Sequence, residues 1–196
     1  MKATVKIIGN KPIVFHKFNL EVITQMAKPK EGSAGNNPNE WKSSFWQENG
    51  RIFIPDHYIF SALKNGSVYT KVGRGSIQKS WVSAIVVETP KCFLNREIFA
   101  DFEKISPEDI PQDSSKPVYV DIRMVANPNT KGRNVRYRLA CSPGWETEFT
   151  ISIDKTVVSQ AQVKKVIEDT GKFIGLSDTR ALGHGRFDVT SIKFED

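Results

Sequence analysis

The 196-residue sequence predicts an α+β fold: a ferredoxin-like (RNA-recognition-like) antiparallel sheet with helices on one face and a protruding β-hairpin. Three observations carry that reading. Apolar and polar residues alternate near both ends of the chain, through Ala3, Val5 and Ile7 and again through Phe187, Val189 and Ile192. Two segments place apolar residues at helical spacing, 57–65 and 159–171, and strand-like runs separate them. A block from 118 to 153 reads as consecutive strands broken by turn signals.

Taken in order, residues 3–8 form a first strand, and Ile13 to Phe18 extends or follows it after the turn Gly9-Asn10-Lys11-Pro12. A flexible loop covers 27–50, because AKPKEGSAGNNPNE at 27–40 holds no large apolar residue. RIFIP at 51–55 is a short strand, and Asp56 caps a helix whose Ile59, Phe60 and Leu63 share one face until Asn65-Gly66 ends it. A basic linker, SVYTKVGRGSIQKSW, leads to Val82–Val87, whose continuous apolar run predicts a central strand. Residues 97–117 carry three prolines among charges and form an irregular excursion. VYVDIRMV, NVRYRLA and ETEFTISID then read as three antiparallel strands, a hairpin thumb over 118–153. Ser159 and Gln162 form a capping box for a helix with Val163, Val166, Ile167 and Thr170 on one face, stopped at Gly171.

Length and a hydrophobic content of 39% suit one domain over 1–196. No run approaches the roughly 18 apolar residues of a membrane helix, and the N-terminus lacks the h-region of a signal peptide. Cys92 and Cys141 are widely separated and show no metal-ligand spacing, which predicts reduced thiols, a cytoplasmic setting and no metal or other cofactor. Twenty-eight Lys and Arg against 22 Asp and Glu give a net charge of +6, which favours a polyanionic partner.

The placement of charge says more than its sum. Residues 57–87 and 122–145 contain no carboxylate. The first window holds Lys64, Lys71, Arg74 and Lys79 among glycines that let a backbone approach phosphate. In the second, Arg123, Lys131, Arg133, Arg136 and Arg138 lie along the expected hairpin, and Arg136 and Arg138 share a face because the side-chain period of a strand is two. Such a face would grip phosphates without reading sequence. Tyr58, Tyr69, Trp81, Tyr137 and Trp145 interleave with these cations, Tyr69 being the best candidate for stacking on a base and Trp81 reading as core.

Near the C-terminus, Gly175, Gly183 and Gly185 surround Arg180, His184 and Arg186 between the last helix and the last strand. Glycines there permit positive φ, and the arginines offer bidentate phosphate contacts. No G-K-[ST] follows, so this is not a Walker A loop, and its place between helix and strand excludes the dinucleotide fingerprint.

The order IFIPDHYIFSALKNG, basic stretch, hairpin, helix and GLSDTRALGHGRF resembles the RAMP superfamily, and within it the backbone subunits of class 1 CRISPR effector complexes. The layout also looks like that of small uncharacterised phage-borne proteins. The RAMP likeness implies an RNA-recognition-like core, binding of single-stranded RNA or a guide RNA, and copies assembling side by side. On these grounds the sequence predicts a non-catalytic protein that binds nucleic acid, single-stranded RNA in preference to single-stranded DNA, and forms a homo-oligomer or multi-subunit complex. The scattered carboxylates have no two-metal spacing. Two alternatives stand beside it: a protein-interaction or assembly component of a phage or mobile element, and a RAMP-type metal-independent endoribonuclease using His16 or His57 as general base.

Overall fold

In the computed structural model, residues 1–17, 37–126 and 132–195 are described. Along the chain, β1 (Lys2–Gly9) and β2 (Ile13–Val14) precede a 3-10 turn at Glu40–Ser43, β3 (Trp46–Glu48) and β4 (Arg51–Pro55). Then come α1 (Asp56–Gly66), the small hairpin β5 (Lys71–Val72) and β6 (Gly75–Ser76), and α2 (Gln78–Ala84). These lead to β7 (Ile85–Val87), β8 (Lys91–Glu97), β9 (Val118–Ala126), β10 (Arg133–Cys141) and β11 (Glu146–Ile153). The chain closes with α3 (Gln160–Phe173) and β12 (Phe187–Glu195).

The main sheet has the order β12-β1-β11-β7 with every neighbour antiparallel. With α1 and α2 between β1 and β7, and α3 between β11 and β12, this is the ferredoxin-like arrangement that the element order predicts. The alternation in β1 explains its central place. Ala3, Val5 and Ile7 are buried opposite Ile151, Phe149 and Thr147. On the other face Lys6 pairs with Glu148 at 3.0 Å and the Thr4 and Thr150 hydroxyls meet at 3.2 Å.

Helices α1 and α3 pack together on one face through Ile59, Ala62, Leu63, Val163, Val166 and Ile167. Their approach is close because Gly66 faces Thr170, where any Cβ would overlap the threonine hydroxyl. The capping box of α3 is present, with Gln162 N donating to Ser159 Oγ and Ser159 N to Gln162 Oε1. Gly171 does not stop this helix. It lies inside α3 because a Cβ there would collide with the Phe187 carbonyl, so its role is packing against β12.

Four local expectations are corrected. Val82–Val87 is not a central strand: Trp81 and Ala84 point inward at helical spacing from α2, and only Ile85–Val87 is extended, at the sheet edge. The hairpin comprises β9 and β10 alone. The Ser142-Pro143-Gly144 turn sends β11 into the main sheet, since Gly9 N donates to Trp145 O and Gly144 N to Gly9 O, both at 2.7 Å, with the indole packed on Gly9. Of the second predicted strand, Ile13 and Val14 pair with Cys141 and Ala140 and Phe15 N donates to Leu139 O at 2.9 Å, while Phe18 lies outside the described residues. Within 27–50, residues 40–50 are structured: Trp41 and Phe45 are buried and β3 pairs with β4.

Cys92 and Cys141 are buried and free, and burial pushes both thiols up to about 12, so neither is a nucleophile at neutral pH. Among the described residues no helix is long and apolar enough to cross a membrane, and no cluster of His, Cys, Asp or Glu is arranged to hold a metal.

Candidate nucleic-acid interface

The β9–β10 hairpin and the glycine loop, which the charge pattern identifies separately, meet in one seam. Cross-strand register sets Arg123 opposite Arg136 and Asp121 opposite Arg138. Against this face lie His16, just after β2, the turn bearing Glu40, and loop residues 174–186. The loop closes at its base, where Leu176 N donates to Gly185 O and Gly185 N to Pro12 O. Gly175 and Gly185 pack backbone to backbone at positive φ, and a side chain on either would overlap the facing strand of the loop.

The hairpin face is not an open cationic surface. Arg138 Nη1 lies 2.5 Å from Asp178 Oδ2, Arg136 Nη2 lies 2.5 Å from Glu40 Oε1, and Arg123 Nε lies 2.7 Å from Asp121 Oδ2. The absence of acids from 122–145 is therefore no sign of unpaired charge, because two of the three partners arrive from distant segments and the third sits just outside the window. Asp178 pairs with Arg138 and stands 3.8 Å from His16 Nδ1. Glu40 also accepts from Tyr137 N at 3.2 Å.

His184 is buried to 8% exposure and joins the two halves. Its Nδ1 lies 2.8 Å from Thr179 Oγ1 and its Nε2 3.2 Å from Arg123 Nη2. Arginine only donates, so Nε2 carries the lone pair and Nδ1 the proton. Burial, then Arg123, lowers the His184 pKa, with Asp121 and Asp178 opposing. His16 is lowered too, by burial and then Arg138. Both imidazoles are thus held neutral, and His184 is a strut within the seam rather than a free phosphate ligand. Tyr58 adds a hydrogen bond from its hydroxyl to the His16 carbonyl at 3.0 Å. His57 sits apart, beside Asp56 at 3.4 Å.

The remaining cations behave differently. Lys64, Lys71, Arg74, Lys79, Arg133, Arg180 and Arg186 have no carboxylate partner among the described residues, and Lys131 lies outside those residues. Arg186 Nε is enclosed without a hydrogen-bond acceptor. Arg186, Lys11 and Lys172 line a cleft of about 630 Å³ between the loop and α3. Its two carboxylates are engaged, Asp188 by Asn10 at 2.9 Å and Glu168 by Lys164 at 4.0 Å. Lys71 and Arg74 are exposed on the small hairpin, and Tyr69 and Thr70 just before it reach α3 through Phe173 and Asp169. Among the aromatics, Trp81 and Trp145 are fully buried and unavailable for stacking, whereas Tyr69 is 48% exposed. Sequence reasoning passed over Glu40, Lys11 and Lys172, whose roles depend on long-range neighbours and leave no local signature.

No family model matches the chain, and no curated protein matches it. Among solved structures, a chain of the Type III-B Cmr-beta complex bound to cognate target RNA, determined by cryo-EM, is similar with a TM-score of 0.55 and 11% identity. The likeness lies in the fold. It covers 98% of this chain and 59% of that one, so the present chain spans about three fifths of its neighbour's length. A chain of a Type IV-B CRISPR complex matches over 98% of this chain and 90% of its own length, with 12% identity and a TM-score of 0.47. The likeness to CRISPR-complex proteins that the sequence suggests is thus met by the fold of the Type III-B neighbour, and by the fold alone.

Proposed function

We propose that this chain binds single-stranded nucleic acid, RNA in preference to DNA, as a non-catalytic subunit whose copies or partners assemble along the strand. The observation that carries the reading is the sorting of cations: those inside the seam are paired, while those on the glycine loop, the small hairpin and the start of β10 have no carboxylate partner among the described residues. Paired arginines would build the frame and unpaired ones would meet phosphate. The fold it shares with a chain of an RNA-bound complex fits this reading.

The test is binding of a fluorescent single strand across a salt series by the wild type and by an Arg74→Glu/Arg180→Glu/Arg186→Glu variant. Loss of three phosphate contacts would flatten the slope of log K against log salt by about 2, at roughly 0.7 per contact. Unchanged affinity in a folded variant would overturn the reading. Nucleic acid co-purifying with the protein, and a molecular mass that falls on nuclease treatment, would support assembly on the strand; an assembly indifferent to nuclease points instead to a protein-interaction component.

One observation favours a second reading. His16 Nδ1 faces the Asp178 carboxylate at 3.8 Å, a partner of the kind that orients a general base. RNA cleavage in EDTA that disappears in His16→Ala would establish an endoribonuclease, and no cleavage across structured RNAs would remove that alternative.

A further inference from the structure

The end of α3 carries a feature that packing alone does not account for. Tyr69 and Phe173 stack with ring centroids 4.9 Å apart and an interplanar angle of 28°. Both remain open to solvent, 48% and 39% exposed. An aromatic pair this exposed forgoes much of the stabilisation its area would provide if covered.

The pair is held rigidly. Tyr69 N donates to Gly66 O at 2.9 Å, Ile77 N to Thr70 O at 3.0 Å, and Thr70 Oγ1 to the buried Asp169 carboxylate at 2.7 Å. Lys165 completes Asp169 from the other side at 2.9 Å. The backbone on both sides of Tyr69 is therefore fixed before any ligand arrives, which lowers the entropy cost of binding.

Three cations lie on the elements that carry the rings. Lys172 lies 5.2 Å from the Phe173 centroid, and Lys71 and Arg74 project from the adjoining hairpin. The nearby carboxylates are engaged: Asp169 with Lys165 and Thr70, Glu168 with Lys164. A stacked aromatic pair with Lys172 over one ring, and Lys71 and Arg74 exposed on the adjoining hairpin, fits a ligand that joins flat rings to negative charge. A second copy of the chain presenting the same patch across a two-fold axis would bring cations against cations, so charge disfavours that occupant.

We propose that Tyr69 and Phe173 form a stacking platform for an unpaired base, with Lys71, Arg74 and Lys172 gripping the flanking phosphates. This rests on the nucleic-acid-binding reading and adds to it a base-contacting site apart from the seam between hairpin and loop. A strand held here would be bound through its bases as well as its backbone, and any base would serve because every base has a π-face.

The test compares a single-stranded oligonucleotide with an abasic one of the same length and charge, using the full chain as wild type, Tyr69→Phe, and a Tyr69→Ala/Phe173→Ala variant. The wild type should prefer the base-bearing strand by about 5- to 150-fold per stacked base. Tyr69→Phe should retain that preference. The double alanine variant should bind both strands alike while keeping the wild-type salt slope, since its cations are intact. Equal wild-type affinity for the two strands overturns the platform and leaves the proposed function standing. Failure of the wild type to bind either strand overturns the proposed function itself. A change in molecular mass of the double variant without loss of base preference marks the patch as a protein contact and also overturns the platform.

Discussion

Arg138 and Asp178 show how a single pair ties distant chain segments together. Arg138 is 12% exposed and Asp178 29%, so water screens their attraction only in part. Arg138→Met keeps most of the side-chain volume but leaves Asp178 without its cation; the expected loss is up to about 3 kcal/mol, the lower end of the range for breaking a buried pair, measured by urea unfolding. Titration supplies a second prediction at this scale. The pKa of both His16 and His184 is lowered from 6.5 in the folded chain, so the unfolded chain takes up their protons first. Their contribution is fully present above pH 6.5 and is lost as pH falls below it toward the depressed folded values. The urea midpoint should therefore decline on acidification from pH 7 to 5, less steeply in His184→Gln; a flat midpoint across that range would contradict the neutral strut. At this scale the sequence revealed residue types but not partners. Arg136 and Arg138 were legible as sharing a face, yet nothing local indicates that Glu40, nearly a hundred positions away, neutralises one of them.

Elements were more legible where periodicity and caps agree. The α3 capping box, the alternation of β1 and the antiparallel pairing of β9 with β10 follow from residues close in sequence. The failures lie where an apolar run has no clear period. VSAIVV reads as a buried strand, but Trp81 and Ala84, one helical turn apart, draw its first half into α2. Glycine is the second source of error, since the same residue that ends one helix is required inside another. Gly66 shows the requirement sharply: an added Cβ would overlap the Thr170 hydroxyl and come within 2.8 Å of the Thr170 Cα, which belongs to the backbone of α3 and has little room to retreat. Gly66→Ala should lower stability by about 1–3 kcal/mol despite alanine's better helix propensity. A variant as stable as the wild type would mean that α1 and α3 can separate freely.

For the whole molecule, the ferredoxin-like order was readable because it depends only on the succession of strands and helices, whereas the allocation of strands to sheets was not. The turn before β11 looks like any hairpin turn; the contact that diverts it, Trp145 on Gly9, spans most of the chain. Charge shows the same division. The net of +6 is visible in composition, but which cations are left for a partner emerges only when the acidic residues are placed. The position of β1 has a further consequence, for the order of events during synthesis. This strand is synthesised before its two neighbours, β11 and β12, so both of its edges stay unpaired until the chain has been made through residue 146 and beyond. Loop closure over so many residues is slow, and a waiting apolar strand is open to mispairing. A nascent chain stalled before Phe187 would hold β1 with one edge uncovered, and co-translational protection by a chaperone is expected to matter more for this protein than for a helical one of equal length.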